Sequence, residues 1–139
     1  MVDRYNLQRF VDAQEPVFEQ VVAELRAGCK IGHWMWFIFP QLRGLGSSSL
    51  ASRFGISSLA EAKTYLQHPV LGQRLRQCAR LAIDANRRAV TEIFGHPDDL
   101  KFRSSMTLFL NASSDNRVFK EALEKYFGGA PDPLTLKRL

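Results

Sequence analysis

Cysteine is scarce in this 139-residue sequence, which contains only Cys29 and Cys78. The two lie far apart, and no second cysteine stands near either at the spacing of a metal site. A disulfide framework of the secreted type and a zinc site are therefore disfavoured. We predict no bound metal and no cofactor.

Long apolar runs are also missing. Nowhere do about 18 apolar residues follow one another, and the first residues, MVDRYNLQRF, carry charge early. This pattern argues against a membrane span and against a signal peptide. We expect a cytoplasmic protein with no membrane partner.

The sequence shows no alternation of apolar and polar residues with a period of two, and no internal repeat. Hydrophobic residues make up 45% of the chain and charged residues 24%, the balance of an ordinary globular protein. We predict one globular domain spanning residues 1–139. Its fold class is mainly α, a compact bundle of about six to eight helices with room for one short buried strand.

Helical periodicity is abundant. Ser58 precedes Glu61 by three residues, a capping-box spacing that predicts a helix beginning there. Pro69 begins the longest predicted helix, and Pro16 and Gly28 bound an earlier one. Apolar stripes predict two more helices, in DDLKFRSSMTLFL and NRVFKEALEKYFGG. The segment WMWFIF fits either a buried strand or a helical turn, and we favour a helical or irregular segment.

The segment KIGHWMWFIFPQLRGLGSSS, residues 30–49, concentrates aromatic, glycine and hydroxyl side chains. His33 can transfer a proton near neutral pH, and a planar base could stack on Trp34. We expect these two residues on a pocket wall, although a packed interior would also suit them. The stretch from Trp36 to Phe39 is expected to fill the core.

The glycines and serines after the aromatic residues are the second candidate element. Two glycines let the backbone approach a ligand closely, and a serine can cap a helix whose free N–H groups favour phosphate. A plain turn with an N-cap explains the same residues. Neither a Walker A loop nor a dinucleotide-binding fingerprint is present. The predicted ligand-binding rim comprises Lys30, Trp34, Gln41, Gly44, Gly46, Ser47 and Ser48.

A third candidate group lies in FGHPDDLKFRSS. On a helix that begins at Asp98, the side chains of Lys101, Ser104 and Ser105 fall within an arc of about 100°, on a face that we expect to lie outside the core. Asp98 or Asp99 could act as a base or orient a ribose, because a carboxylate at a helix N-terminus stays ionised. Simple capping of the helix is the alternative.

The formal net charge of +5 makes anionic partners plausible. On the longest predicted helix Arg76, Arg80 and Arg87 share one side, but Asp84 lies between them, which is typical of a solvated face. No aromatic residues interleave with these arginines, so support for nucleic-acid binding is weak.

Known catalytic motifs such as G-x-S-x-G and H-E-x-x-H are absent. The segments FVDAQ, ELRAGCKIGHWMWFIFPQLRGLGSSS, YLQHPVLGQRL and IFGHPDDLKFRSSMTLF closely resemble the bacterial domain-of-unknown-function family 1810 over nearly the whole chain. This resemblance implies a small, mostly helical protein and no established activity. RFVDAQ and YLQHPVLGQRL are more weakly similar to the NADAR superfamily, which implies NAD and ADP-ribose metabolism. The later signatures of that superfamily are missing, so no catalytic residue is carried over.

Two functional hypotheses follow. The first is a protein that binds or hydrolyses an ADP-ribosyl or NAD-like nucleotide, an N-glycosidase if it is an enzyme, with Asp98 and His33 as catalytic residues. Lys30 or Lys101 would hold phosphate, and His33, Ser47, Asp98 and Lys101 should then converge on one cavity. The second is a non-catalytic module that binds a peptide, a protein or nucleic acid through the same groove. The oligomeric state stays open.

Overall fold

The structure of the chain, a computed structural model, describes residues 2–139, and every regular element within them is a helix. The helices are α1 (Gln8–Gln14), α2 (Phe18–Ala27), α3 (Met35–Ile38), α4 (Ser49–Phe54), α5 (Leu59–Gln67), α6 (Leu71–Asp84), α7 (Val90–Phe94), α8 (Asp98–Ala112), α9 (Arg117–Phe127) and α10 (Pro133–Arg138). The mainly α prediction is confirmed. Six helices have seven residues or more, and the number exceeds the prediction because α3, α4, α7 and α10 are short.

The longest helix, α8, packs against α5, α7, α9 and α10, and α6 packs against α2, α5 and α9. The side chains of Phe102, Met106 and Phe109 on α8 are completely buried. They belong to one hydrophobic cluster to which most helices contribute. In residues 2–139, no helix has the length and hydropathy needed to cross a bilayer.

The ambiguous segment WMWFIF contains the single-turn helix α3. Because a helix places residues three and four apart on the same side, Met35 and Ile38 face the interior and are buried. Trp36 and Phe37 fall on the outer side and are only half-buried, although the sequence favours a core position for both.

The short helix α4 is held by the ends of the segment that contains it. The backbone N–H of Arg43 donates to the Ile56 carbonyl, and the N–H of Ile56 donates to the Gln41 carbonyl, at 2.8 and 2.9 Å. The resulting isolated parallel bridge between Leu42 and Ile56 is the one β-type pairing in the described residues. It fixes α4 in front of α3.

Candidate functional site

The loop between α2 and α3 is organised by the carboxylate of Glu24. One oxygen, Oε1, accepts hydrogen bonds from the backbone N–H groups of Ile31 and Gly32 and from the indole N–H of Trp34, at 2.7, 2.9 and 2.9 Å. The other oxygen accepts from Gln20 at 2.7 Å. Burial raises the pKa of Glu24, but these hydrogen bonds outweigh it and lower the pKa to about 2. Glu24 is therefore a structural anion.

Trp34 lies in the core and not on a pocket wall, which corrects the sequence prediction. Its side chain is 2% exposed and its only polar atom is satisfied by Glu24. The loop accommodates the ring because residue 32 is glycine: a Cβ there would lie 2.9 Å from Cδ1 of Trp34. His33, which directly precedes Trp34, is exposed to solvent.

Two lysines share one carboxylate at the start of α8. Lys30 Nζ lies 2.9 Å from Oδ2 of Asp98, and Lys101 Nζ lies 3.3 Å from Oδ1. The backbone N–H of Lys30 also donates to the Ile93 carbonyl at 2.7 Å, which ties the loop to α7. The side chain of Lys30 is 8% exposed and that of Asp98 is 19% exposed. The pair is therefore shielded from solvent far more than an ordinary surface ion pair.

Each of these lysines also lies over a tryptophan ring. The ammonium of Lys30 is 5.3 Å from the ring centroid of Trp34, and that of Lys101 is 4.5 Å from the centroid of Trp36. Both distances are within the range of a cation–π interaction. We call the series Trp34, Lys30, Asp98, Lys101 and Trp36 the lysine–tryptophan ladder.

The outer end of the ladder opens into a recess between α3, α4 and α8. We call it the Trp36 recess, and its lining residues are Met35, Trp36, Phe39, Gln41, Ala51, Phe54, Gly55 and Lys101. Its empty space is about 230 Å³, but a water-sized sphere can occupy only about 10 Å³ of it, roughly the room for one water. Trp36 Nε1 is buried and has no hydrogen-bond partner within residues 2–139.

The predicted rim only partly surrounds this recess. Gln41 lines it, and a Cβ on Gly46 would lie 2.9 Å from the Ala51 side chain and 3.5 Å from Gln41 Nε2. Ser48 caps α4, where its hydroxyl accepts from the Ala51 N–H at 3.1 Å. Gly44 approaches Arg138 at the other end of the loop.

The expected convergence of four residues on one cavity is not observed. Lys101 lines the Trp36 recess and contacts Asp98, whereas the exposed residues His33 and Ser47 do not line it. Of the two predicted catalytic residues, Asp98 belongs to the ladder and His33 is separate from it. Asp99 instead lies beside His96, with Oδ1 3.0 Å from Nδ1 of that ring.

The prediction that Ser104 and Ser105 lie on a face outside the core is wrong. The Ser104 hydroxyl donates at 3.1 Å to the Leu100 carbonyl or to Oδ2 of Asp132, and so belongs to the contact between α8 and α10. Ser105 is fully buried, and its hydroxyl has no partner in the described residues. The reason is that α8 is surrounded by other helices, so few of its positions are exposed.

Sequence reasoning missed the recess walls contributed by Trp36, Ala51 and Gly55. The available signal was helical spacing, since Met35 and Ile38 share a side of α3 that excludes Trp36. The contribution of α4 to the recess wall depends on the Leu42–Ile56 bridge, and no local sequence pattern predicts that pairing.

Chemically, this arrangement favours binding. Asp98 is engaged by two ammonium groups, so it is not free to act as a base until one of them moves away. Two positive charges facing one carboxylate leave an excess of positive charge, which suits an anionic ligand.

Comparison with known proteins gives one family and one solved structure. A family model described as "Protein of unknown function (DUF1810)" matches residues 4–139. The chain is 58% identical in sequence to the conserved hypothetical protein Rv1873 from Mycobacterium tuberculosis, and its structure matches the crystal structure of that protein with a TM-score of 0.97. That match covers 99% of this chain and 98% of the other. No curated protein matches. The full-length resemblance is thus confirmed, whereas the weaker NADAR resemblance is not shown.

Proposed function

Because this chain belongs to DUF1810, a family of proteins of unknown function, we propose a function from the structure of its site. The Trp36 recess binds a nucleotide-type ligand of the ADP-ribosyl or NAD class. The carrying observation is the buried, unpartnered Nε1 of Trp36 beside the ammonium of Lys101. An unpaired buried donor costs about 1–3 kcal/mol, and a ligand acceptor would remove that cost.

The charges of the ladder favour an anionic group at Lys101. Asp98 already has Lys30 at 2.9 Å, the shorter of its two lysine contacts. A ligand phosphate can therefore take Lys101 while Asp98 keeps one partner. The half-buried ring of Trp36 offers a surface on which a base or nicotinamide ring stacks.

The size of the recess sets a condition for this proposal. Room for about one water is too little for a nucleotide ring. Binding therefore requires α4 and residues 44–48 to move away from Trp36. Residues 46–50 are all exposed, so this loop and the first residues of α4 are the part of the wall least held by packing, whereas Phe54 at the end of α4 is buried against Phe10 and Phe37.

Hydrolysis would require one further step. Once Lys101 has turned to the ligand phosphate, Oδ1 of Asp98 is free to stabilise positive charge at an anomeric carbon, as carboxylates do in glycoside cleavage. Water would add to that carbon and lose a proton to solvent while the bond to nitrogen breaks. Nicotinamide would leave as a neutral molecule without taking a proton, whereas a purine leaving group would have to take one. Exposed His33 would be the proton donor only if the ligand extends across the loop to reach it.

The test is a titration with ADP-ribose and NAD, in which binding is measured by calorimetry and by the change in melting temperature. Lys101→Met should weaken binding about 10-fold or more, because it removes a charge-assisted contact. Trp36→Phe should weaken it less, since a smaller aromatic ring remains for stacking while the indole N–H is lost. Lys63→Met is the matched control, because Lys63 is exposed on α5 and does not line the recess.

A rise in melting temperature is expected for the native chain, since a ligand that binds only the folded state stabilises it. The absence of any rise at millimolar ligand would refute the proposal. Binding without release of nicotinamide or free base would restrict the function to recognition and exclude hydrolysis.

A further inference from the structure

On the other side of α4 from the Trp36 recess lies a second groove, of about 420 Å³. We call it the arginine groove, and its lining residues are Tyr5, Asn6, Arg9, Arg43, Ser52 and Arg53. Three of these six residues are arginines and none is acidic. None of its lining residues lines the Trp36 recess.

Two guanidinium groups converge on a single oxygen atom in this groove. The carbonyl oxygen of Gly55 accepts from Nη2 of Arg9 at 3.2 Å and from Nη2 of Arg43 at 3.4 Å. Nε of Arg9 also donates to the carbonyl of Arg53 at 2.9 Å. Glu61 balances the charge of Arg9 from the protein side, so the charge of Arg43 is left to attract an anion in the groove.

The backbone holds this convergence in place. Gly55 packs so tightly against Arg43 that a Cβ on residue 55 would lie 2.8 Å from both Cα and Cβ of Arg43. The hydrogen bonds of the Leu42–Ile56 bridge fix the backbone of both segments. Arg43 is therefore positioned by the fold, although its side chain is exposed.

Arg9 supplies charge and position but no spare hydrogen bonds. Its guanidinium donates to four carbonyl oxygens and to Oε2 of Glu61, which accounts for all its N–H groups. Glu61 is 2% exposed and lies 3.0 Å away, so it neutralises Arg9 from the protein side. Within residues 2–139, neither Arg43 nor Arg53 has an acidic side chain within 4.0 Å.

We propose that the arginine groove binds the phosphate group of a small phosphate monoester through the guanidinium groups of Arg43 and Arg53, which have no carboxylate partner in the described residues. The hydroxyl of Ser52 and the amide of Asn6 line the same groove and add neutral donors. A phosphate monoester carries nearly two negative charges and three acceptor oxygens, which matches two planar guanidinium forks. A carboxylate, with one charge, would leave one arginine unmatched.

The experiment titrates inorganic phosphate, AMP and adenosine into the full chain and follows the backbone amide signals by NMR. Phosphate and AMP should shift the signals of residues 43 and 52–55, and adenosine should not. If AMP binds more tightly than phosphate, the nucleoside adds contacts; equal affinity means that the phosphate group alone is recognised. Both results support the proposal.

The variant Arg43→Gln/Arg53→Gln should bind phosphate at least about 10-fold more weakly, the loss expected for charged hydrogen bonds. The control Arg26→Gln/Arg88→Gln removes the same net charge from exposed positions that do not line the groove, and it should bind within about twofold of the native chain. Circular dichroism verifies that both variants fold.

Equal affinities in all three proteins, or no binding of phosphate by the native chain, would overturn the inference. Lys101→Met separates it from the proposed function. That variant should keep phosphate binding in the groove while ADP-ribose binding in the Trp36 recess weakens about 10-fold or more, so either proposal can fail while the other stands.

Discussion

At the scale of single residues, the carboxylate of Glu24 orders the loop that carries Lys30 and Trp34. It does so only while ionised, because every bond that it makes is accepted from an N–H group. A folded-state pKa of about 2 against an ordinary 4.5 means that this stabilisation is complete above pH 4.5. It is lost as the pH falls toward 2.

Glu24→Gln should therefore destabilise the protein at pH 7 by about 2–3 kcal/mol, because a neutral amide oxygen accepts these hydrogen bonds less strongly and its NH₂ group faces other donors. The difference in unfolding free energy between the two proteins should shrink below pH 4.5. Urea melts at pH 7 and pH 3 measure it. A difference that does not change between these pH values would contradict this account of Glu24.

The ion pair of Arg9 and Glu61 is the second residue-scale case. Arg9→Met leaves a carboxylate buried without its cation, and we expect a loss of about 3–5 kcal/mol. Arg9→Met/Glu61→Gln should recover part of that loss. Arg80→Met is the contrast: its pair with Glu121 is about half exposed and screened by solvent, so its loss should lower the unfolding free energy far less than the loss of Arg9. Chemical denaturation of the four proteins gives the comparison.

Single side chains also mark where sequence reasoning stopped. Helical spacing separates Trp34 from Trp36 only once the start of α3 is known, because both are large aromatics in one apolar run. Their places depend on the start of α3 and on Glu24, ten residues before Trp34. Asp98 and Lys101 were found because a helix begins at Asp98, whereas their partnership with Lys30 is a long-range contact.

At the scale of elements, α8 explains the error about Ser104 and Ser105. Its neighbours lie on several sides, so nine of its fifteen residues are buried, and hydroxyl groups are among them. One apolar stripe predicts a helix whose opposite face is solvated, and α8 has no such face. The start of α5 after its N-cap Ser58 and the end of α2 before its C-cap Gly28 were predictable, because capping residues act locally.

One carboxylate both caps α10 and links it to α8. Oδ2 of Asp132 accepts from the N–H and hydroxyl of Thr135 at 3.0 and 2.6 Å, and the Ser104 hydroxyl of α8 lies 3.1 Å away. Asp132→Ala removes a helix N-cap and this link together.

We expect Asp132→Ala to cost about 1–2 kcal/mol and to speed hydrogen exchange in α10 more than in α2. Asp84→Ala, at an exposed position on α6, is the control. Equal acceleration of exchange in the two helices would show that Asp132 acts on the whole fold and not on α10.

At the scale of the whole molecule, the two thiols report on unfolding. Cys29 is exposed and Cys78 is buried, and burial raises the pKa of Cys78 to about 12. The thiolate is the reactive form, so a thiol reagent should modify one cysteine in the native chain and two in denaturant. The rate at Cys78 then measures global opening. Rapid modification of both thiols without denaturant would mean that the core around α6 opens locally.

The fold class was predictable from the whole sequence because helical spacing and caps recur along it. The arrangement of the helices was not, since both α4 and the two sites beside it depend on the pairing of Leu42 with Ile56. The prediction of one domain over residues 1–139 agrees with a single hydrophobic cluster but stays a prediction.

The Trp36 recess and the arginine groove share a wall, because both lie against α4 and the oxygen that receives Arg9 and Arg43 belongs to Gly55, the residue that ends α4. A ligand that displaces α4 to enter the recess also moves that acceptor. Ligand binding at the two proposed sites would therefore be energetically coupled. Reciprocity then requires that each ligand change the affinity of the other by the same factor, so a six-residue helix would make this small protein a cooperative one.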